Sequence, residues 1–331
     1  MPKRKSAKNY DIISIGDTSL DVFLKVNDAS LLCSIDKDNC LFCLHYAEKI
    51  PVADIHFTPG GNACNNAVGS SRLGLHAALY TFLGDDDSGR RILDHIKKEK
   101  VATDYIRIEK GNPTNYSTAL LYKTDRTLLV YHDLRHYVLP KLAPSKWIYL
   151  TSLGKGFQKI HETLIAYLKK DGVKLAFNPG THQLLAGRKA LDPILKLCAV
   201  LILNKQETET ILDNHSRDMS MKDMLRALHH CGPEVVVITD GAKGAYGYDG
   251  THSYRMPPMP AKIVERTGAG DAFSTGLLAA LVRGLSLQEA LMWGSANSAS
   301  VIEQIGPQAG LLTFEQMQKR CKRCARGCKK I

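Results

Sequence analysis

A chain of 331 residues, 44% hydrophobic and 23% charged, is long enough to bury a globular core, which excludes disorder as the default state. No apolar run approaches the roughly eighteen residues of a membrane helix, and the basic start Met1-Pro2-Lys3-Arg4-Lys5 leads through Lys8-Asn9-Tyr10 into a short strand, so no membrane partner and a cytoplasmic location are expected. The net charge of +11 gathers at residues 3–8 and 319–330 without interleaved aromatics or a reading helix; this predicts solvated basic ends, argues against a nucleic-acid partner, and leaves a positive field that favours small polyanions.

The first apolar run, Asp11-Ile12-Ile13-Ser14-Ile15-Gly16-Asp17, predicts a buried strand that ends in a functional turn. Residues 22–26 and 53–57 alternate apolar and polar, as expected of strands exposed on one face. Residues 118–122 and 127–131 alternate in the same way around a turn at 123–126, which predicts a hairpin. From residue 145 onward, strands at 147–150, 173–177, 200–203 and 235–239 are interleaved with helix-like segments at 158–171, 187–197 and 205–213; residues 272–282 read as a buried helix opened by a glycine turn. Such alternation implies right-handed crossovers and a mostly parallel sheet. The expectation is one three-layer α/β domain over residues 10–317, with a basic N-terminal tail at 1–9 and a basic cysteine-containing segment at 318–331. A small β lid is assembled from two separate excursions at about 19–58 and 114–134.

Nine cysteines, an odd number in a long chain without an export signal, read as reduced thiols. Cys40 and Cys43 form a C-x-x-C, and Cys321, Cys324 and Cys328 lie at helical spacing. Together they could supply zinc ligands, while the second group by itself reads as the packed face of a helix.

The most informative stretch is Glu265-Arg266-Thr267-Gly268-Ala269-Gly270-Asp271-Ala272-Phe273, where small residues sit at the start of an apolar helix. Helix starts expose unpaired N–H groups and a positive dipole end, so glycines there admit an anion such as a phosphate. A carboxylate beside a phosphate is repelled unless it has a task, and deprotonating an attacking hydroxyl is one. A second glycine turn, Gly60-Gly61, followed by Asn65-Asn66 and an apolar pattern to Leu73-Gly74, places backbone and amides where they can grip hydroxyls.

These two stretches resemble the signatures of the ribokinase-like, or PfkB, carbohydrate kinases, and the resemblance runs from about residue 10 to 317. Gly60 through Gly74 is similar to the first signature and Arg266 through Phe273, with Gly276, to the second. Gly84-Asp85-Asp86-Asp87-Ser88-Gly89, Asn204-Lys205-Gln206-Glu207 and Thr239-Asp240-Gly241-Ala242-Lys243-Gly244 resemble intermediate elements of the family. The resemblance implies a ribokinase-like fold and phosphoryl transfer from ATP, with Mg2+, to a sugar or nucleoside hydroxyl. Asp271 falls at the catalytic base and Gly268, Ala269 and Gly270 at the anion hole. Asn204 and Glu207 match residues that organise magnesium and phosphates, often through water. Thr239, Gly241, Gly244 and Asn297 fall where the nucleotide is held, and Asp21, Gly60, Gly61 and Asn65 where substrate hydroxyls are held.

Plainer readings stand beside these roles. Asp21 also reads as a polar residue on a lid strand, Asn204 with Glu207 as a helix capping box, and Asn297 as a solvent-facing helix position. Glu265-Arg266 stands where many relatives have Asp-Thr, which leaves activation by a monovalent cation such as K+ open. Asn62 replaces a lysine found in ribokinases and some phosphofructokinases, which favours a neutral sugar or a nucleoside over a sugar phosphate. For a nucleoside base, Phe23, Phe42, Tyr46 and Tyr131 are the candidate slot residues. A non-catalytic nucleotide or sugar sensor is the rival from another class, and the retained acid at Asp271 argues against it. Lid strands can also pair across a homodimer.

Overall fold

The computed structural model describes residues 9–34, 40–123, 125–212, 218–323 and 327–331. In chain order, β1 (Tyr10–Ile15) leads into β2 (Ser19–Val26), the short strands β3 (Ser30–Cys33) and β4 (Cys40–Cys43), and the returning strand β5 (Val52–Gly60). Then come α1 (Asn62–Arg72), β6 (Ala77–Gly84), α2 (Asp87–Lys98), β7 (Ala102–Glu109), β8 (Asn115–Tyr122) and β9 (Asp125–Tyr131). The second half alternates more regularly: β10 (Ser145–Leu150), α3 (Gln158–Asp171), β11 (Lys174–Phe177), α4 (Thr181–Leu185), α5 (Arg188–Leu195), β12 (Cys198–Asn204), α6 (Lys205–Ile211), α7 (Met221–His229) and β13 (Val235–Thr239). The chain ends with β14 (Ala245–Tyr248), β15 (Ser253–Met256), α8 (Ala269–Val282), α9 (Leu287–Val301), α10 (Phe314–Lys322) and β16 (Lys329–Lys330).

Ten strands form the central sheet in the order β16-β15-β14-β13-β12-β11-β10-β1-β6-β7. The run from β13 to β7 is parallel, and β14, β15 and β16 extend it antiparallel. Successive side chains enter opposite faces, so the inner strands β6, β1, β10, β11, β12 and β13, covered on both faces, are largely apolar, while the edge strands β7 and β16 carry charged residues. Ile13 and Ile15 of β1, Ile148 and Leu150 of β10, and Leu201 and Leu203 of β12 enter one core with Ile160, Leu164, Leu191 and Leu225 from α3, α5 and α7. Their neighbours Ile12, Trp147, Tyr149, Val200 and Ile202 enter the opposite core with Leu277, Leu278, Leu291 and Ala296 from α8 and α9. The fold is thus the three-layer α/β arrangement expected.

The lid is a second sheet in the order β5-β2-β8-β9. β2 pairs antiparallel with β5 and parallel with β8, so both excursions build one plate. In the β8–β9 hairpin the strands run closer to the turn than the sequence pattern suggests: Asp125 pairs with Tyr122 and Arg126 with Leu121, and Lys123 takes a left-handed φ of 57°.

Three local features depart from the sequence reading. β3 and β4 form a small separate hairpin whose Phe42 ring meets Tyr122 of the lid edge-on at 5.8 Å. Its register sets Cys33 opposite Cys40, and the two are joined in a disulfide, which corrects the expectation of reduced thiols there and removes Cys40 from any C-x-x-C metal site. The basic C-terminus is docked: α10 buries Met317, Arg320 pairs with Glu303 at 3.0 Å, and β16 joins β15. Cys321 and Cys328 pack against the second core, while Cys324 and residues 1–8 lie outside the described residues.

Candidate active site

The site forms at the carboxyl ends of the parallel strands, where α1, α6 and α8 begin. α8 is opened by Gly268, whose φ of 77° is the left-handed conformation and whose missing side chain leaves room for Pro307. Ala272 N–H closes the first turn onto Gly268 O at 2.8 Å, while Ala269 N–H makes a long 3.3 Å contact to Arg266 O. A helix start of this kind directs N–H groups and its dipole outward, and Asp271 stands in its first turn.

Asp271 is held from α1. Asn65 Nδ2 donates to Asp271 Oδ2 at 2.7 Å, and Gln308 Nε2 donates to Asn65 Oδ1 at 2.9 Å, which fixes the amide orientation. Gln308 is itself buried and its Oε1 lies 2.7 Å from His95 Nε2. A second chain braces the same helices: Ser14 Oγ donates to Asn66 Oδ1, Asn66 Nδ2 to Thr275 Oγ1, and Thr275 Oγ1 to the carbonyl of Asp271. Burial pushes the Asp271 carboxyl up to about 6, the Asn65 bond opposes this, and the nearby Asp21 charge adds to it.

On the lid side, Ser19 Oγ donates to Asp21 Oδ1 at 2.7 Å, and burial holds the Asp21 carboxyl above its ordinary range against that bond. Asp21 lies against Gly60, where a methyl group would collide with Oδ2; glycine is required by close approach. Gly61, with φ of 89°, opens α1 against the backbone of Asp17 and Thr18. Asp21, Gly60, Gly61 and Asn65 therefore come together around Asp271.

Asn204 and Glu207 do form a capping box at the start of α6: Glu207 N–H donates to Asn204 Oδ1 and Asn204 N–H to Glu207 Oε2, both at 2.8 Å. Glu207 also feels Asp271, and burial together with that like charge holds its carboxyl high. Asp271 is thus the acid that Glu207 feels from one side, and it in turn feels Asp21 from the other.

A cleft of about 420 Å³ abuts the opening of α8. Thr239, Gly241 and Gly244 line one side of it and Ala269 and Gly270 another, while Asn204, Glu207 and Gly268 are not part of its lining. Nor is Asn297. Its side chain is buried, donating to Ala272 O at 2.8 Å and accepting from Leu312 N at 3.0 Å, which corrects the solvent-facing reading. The phase of α9 points Asn297 inward and presents Ser295, Ser298 and Ala299 to the cleft instead.

Sequence reasoning missed several participants. The wall formed by Pro258, Met259, Ala261 and Ile263 had a signal in the run Pro257-Pro258-Met259-Pro260, which resists helix and strand. Gln308 had none. Asp17 is buried at the end of β1, accepting from Tyr137 OH at 2.7 Å and Gly154 N at 2.8 Å, and burial raises its carboxyl. The aromatic candidates do not converge: Phe23 is buried, Phe42 packs on Tyr122, and Tyr46 and Tyr131 are exposed.

Known proteins share this fold. The chain is 22% identical over 317 residues to the ATP-dependent 6-phosphofructokinase of Thermoanaerobacterium thermosaccharolyticum, covering 90% of each chain. The solved nucleoside kinase of Methanocaldococcus jannaschii superposes with a TM-score of 0.76 at 22% identity, covering 95% of this chain and 98% of that one. Arabidopsis thaliana ribokinase, solved with ribose and ATP, superposes with a TM-score of 0.77 at 18% identity, covering 96% of this chain and all of that one. The pfkB carbohydrate kinase family profile matches residues 24–313, a span that holds Asp271, both glycine turns and the cleft beside α8, and the chain belongs to that family.

Proposed function

We propose that this chain transfers the γ-phosphoryl group of ATP to a hydroxyl of a small neutral sugar or a nucleoside, with Asp271 as the general base. The observation that carries this reading is the position of Asp271 between two recognition sets: Gly270 and Ala269 beside it line the nucleotide-sized cleft, and Asn65 bonded to it belongs to the acceptor side. The acceptor hydroxyl gives its proton to the free carboxylate oxygen of Asp271, its oxygen bonds to the γ-phosphorus, and the bond to the β-phosphate oxygen breaks to release ADP. N–H groups at the start of α8, from the Gly268–Gly270 turn, receive the charge on the transferring group. Asp21 and the Gly60–Gly61 backbone orient the acceptor.

No group of three acids, histidines or cysteines among the described residues is placed to hold a metal ion directly, so Mg2+ would be held mainly by the phosphates and water. Glu207 would hold Mg2+ through water, with Asn204 keeping its carboxylate in place. When bound, magnesium neutralises phosphate charge. The lid, closing over the acceptor, excludes water that would otherwise take the phosphoryl group. One of its faces exposes Ile55, Phe57 and Leu129, which supports self-association through the lid, measurable by light scattering.

The test is coupled ADP release with ATP and Mg2+ against ribose, fructose, 2-keto-3-deoxygluconate, fructose 6-phosphate, adenosine, cytidine and inosine, beside Asp271→Asn. Turnover with one acceptor, reduced ~100-fold or more in the variant, supports the assignment. ATP binding without acceptor-dependent turnover across the panel contradicts it.

A further inference from the structure

Glu265 is 5% exposed, yet its carboxylate is only half satisfied. Oε1 accepts from Thr267 N–H at 2.6 Å and Thr267 Oγ1 at 2.5 Å, which folds the turn that delivers Gly268 to the start of α8. Oε2 is buried without a hydrogen-bond partner among the described residues. Facing it from the lid is Arg126, on β9, whose Nε is also buried without a hydrogen bond and lies 3.9 Å from Glu265 Oε1. An orphaned buried donor and an orphaned buried acceptor of opposite charge are thus opposed across the boundary between lid and body. Natural proteins pair such groups, because desolvation without a bond is unfavourable.

The space around them allows the pairing. A cavity of about 440 Å³ lies between the lid tip, with Lys25, Tyr122 and Asp125, and the body, with Val264, Glu265 and Ile305. The Lys25 charge acts on Asp54 across the lid, and Asp125 Oδ1 accepts from Arg126 N–H at 3.0 Å. The guanidinium is left to reach across, and its planar fork suits a carboxylate. An approach of roughly 1 Å would bring Arg126 Nε onto the carboxylate at Oε1, from which the guanidinium fork can span to Oε2.

We propose that Arg126 and Glu265 form a latch that couples lid closure to the anion hole. When the tip settles, Arg126 engages the free Oε2 while Oε1 keeps Thr267, so the same carboxylate senses the lid and shapes the turn before Gly268. Both are positioning residues, since neither contacts the reacting atoms. The effect on catalysis rests on the kinase reading above; the contact itself does not.

Two measurements on the full chain separate these. Hydrogen exchange of the hairpin over residues 115–131 should be ~5-fold faster in Arg126→Ala and in Glu265→Gln, no faster in the double variant, and near wild type in Arg126→Lys. Unchanged exchange in both singles, or additive effects in the double, overturns the latch. With an accepted substrate, Arg126→Ala should lower kcat ~10-fold while changing the KM for ATP by less than ~2-fold, the split expected of lost alignment. Equal loss in both parameters, or a kcat indistinguishable from wild type, overturns the coupling to catalysis. Exchange that responds as expected in a chain that phosphorylates no acceptor retains the contact and rejects the kinase reading.

Discussion

The Asn65 amide donates a 2.7 Å hydrogen bond to Asp271 Oδ2 from a helix 206 positions away in sequence. Acid and amide come from the two glycine turns, so the bond joins the acceptor side to the phosphate side through a single carboxylate. It also occupies one oxygen and leaves the other to take a proton. Replacing Asp271 by Asn keeps the shape and removes the base. A loss of kcat of ~100-fold or more is expected, with a gain in thermal stability of a few degrees, on the order of 1–3 kcal/mol. The sign follows from the raised carboxyl: from 3.8 to about 6, the folded chain holds a proton that the unfolded chain releases, so ionising Asp271 weakens the fold at neutral pH. Calorimetry beside the ADP-release assay checks both halves.

Because the base works ionised, kcat/KM should rise tenfold per pH unit below about 6 and level off above it. The two neighbours should move that limb in opposite directions. Asp21→Asn removes the charge that raises Asp271 and should shift the limb down, whereas Asn65→Leu removes the stabilising bond and should shift it up, each by roughly half to one pH unit. A pH–rate series on the three proteins decides; shifts of the same sign would contradict the electrostatic account.

Gly268 and Gly270 are glycines for different reasons. Gly268→Ala meets a left-handed φ and Pro307 together and should destabilise the fold by about 1–3 kcal/mol. At Gly270 a methyl group meets nothing within 4 Å, so Gly270→Ala should melt like wild type, within ~0.5 kcal/mol. A tenfold or larger loss of activity in that variant would then report the space a phosphate requires. Melting curves and kinetics on the pair separate architecture from binding.

Asn297→Leu strands Ala272 O and Leu312 N in the core, and a cost of about 2–3 kcal/mol is expected. ATP affinity, measured by titration below the melting transition, should change less than ~2-fold, because the cleft is lined by Ser295, Ser298 and Ala299. A selective loss of ATP binding would support the nucleotide-binding reading of Asn297.

What could be read beforehand had local chemistry. Glycines beside an acid at a strand-to-helix junction are unusual enough to mark Asp271 and Gly268, and alternation of period two marked both lid excursions. Gln308 and Arg126 carry no such pattern. They are single polar residues in a loop and a hairpin, and they matter only through partners 243 and 139 positions distant. Asn297 fell at a family motif position, but motif spacing does not reveal which way a helix is turned. The β3–β4 hairpin escaped because strands of four residues give too few alternations to register. The C-terminus escaped because its charge conceals the ion pair and strand pairing that dock it.

The lid register has a mechanical consequence. Ser19 stands opposite Gly60 on one side and Asn115 on the other, so three of the chain's crossings between body and lid lie abreast on one line. A plate attached along one line turns like a door. In such a turn Asp21 and Gly60, next to the jamb, would scarcely travel, while Arg126, near the free edge, would sweep the widest arc. The acceptor could then be gripped by nearly stationary groups before the door swings, with its arrival registered farthest from the pivot.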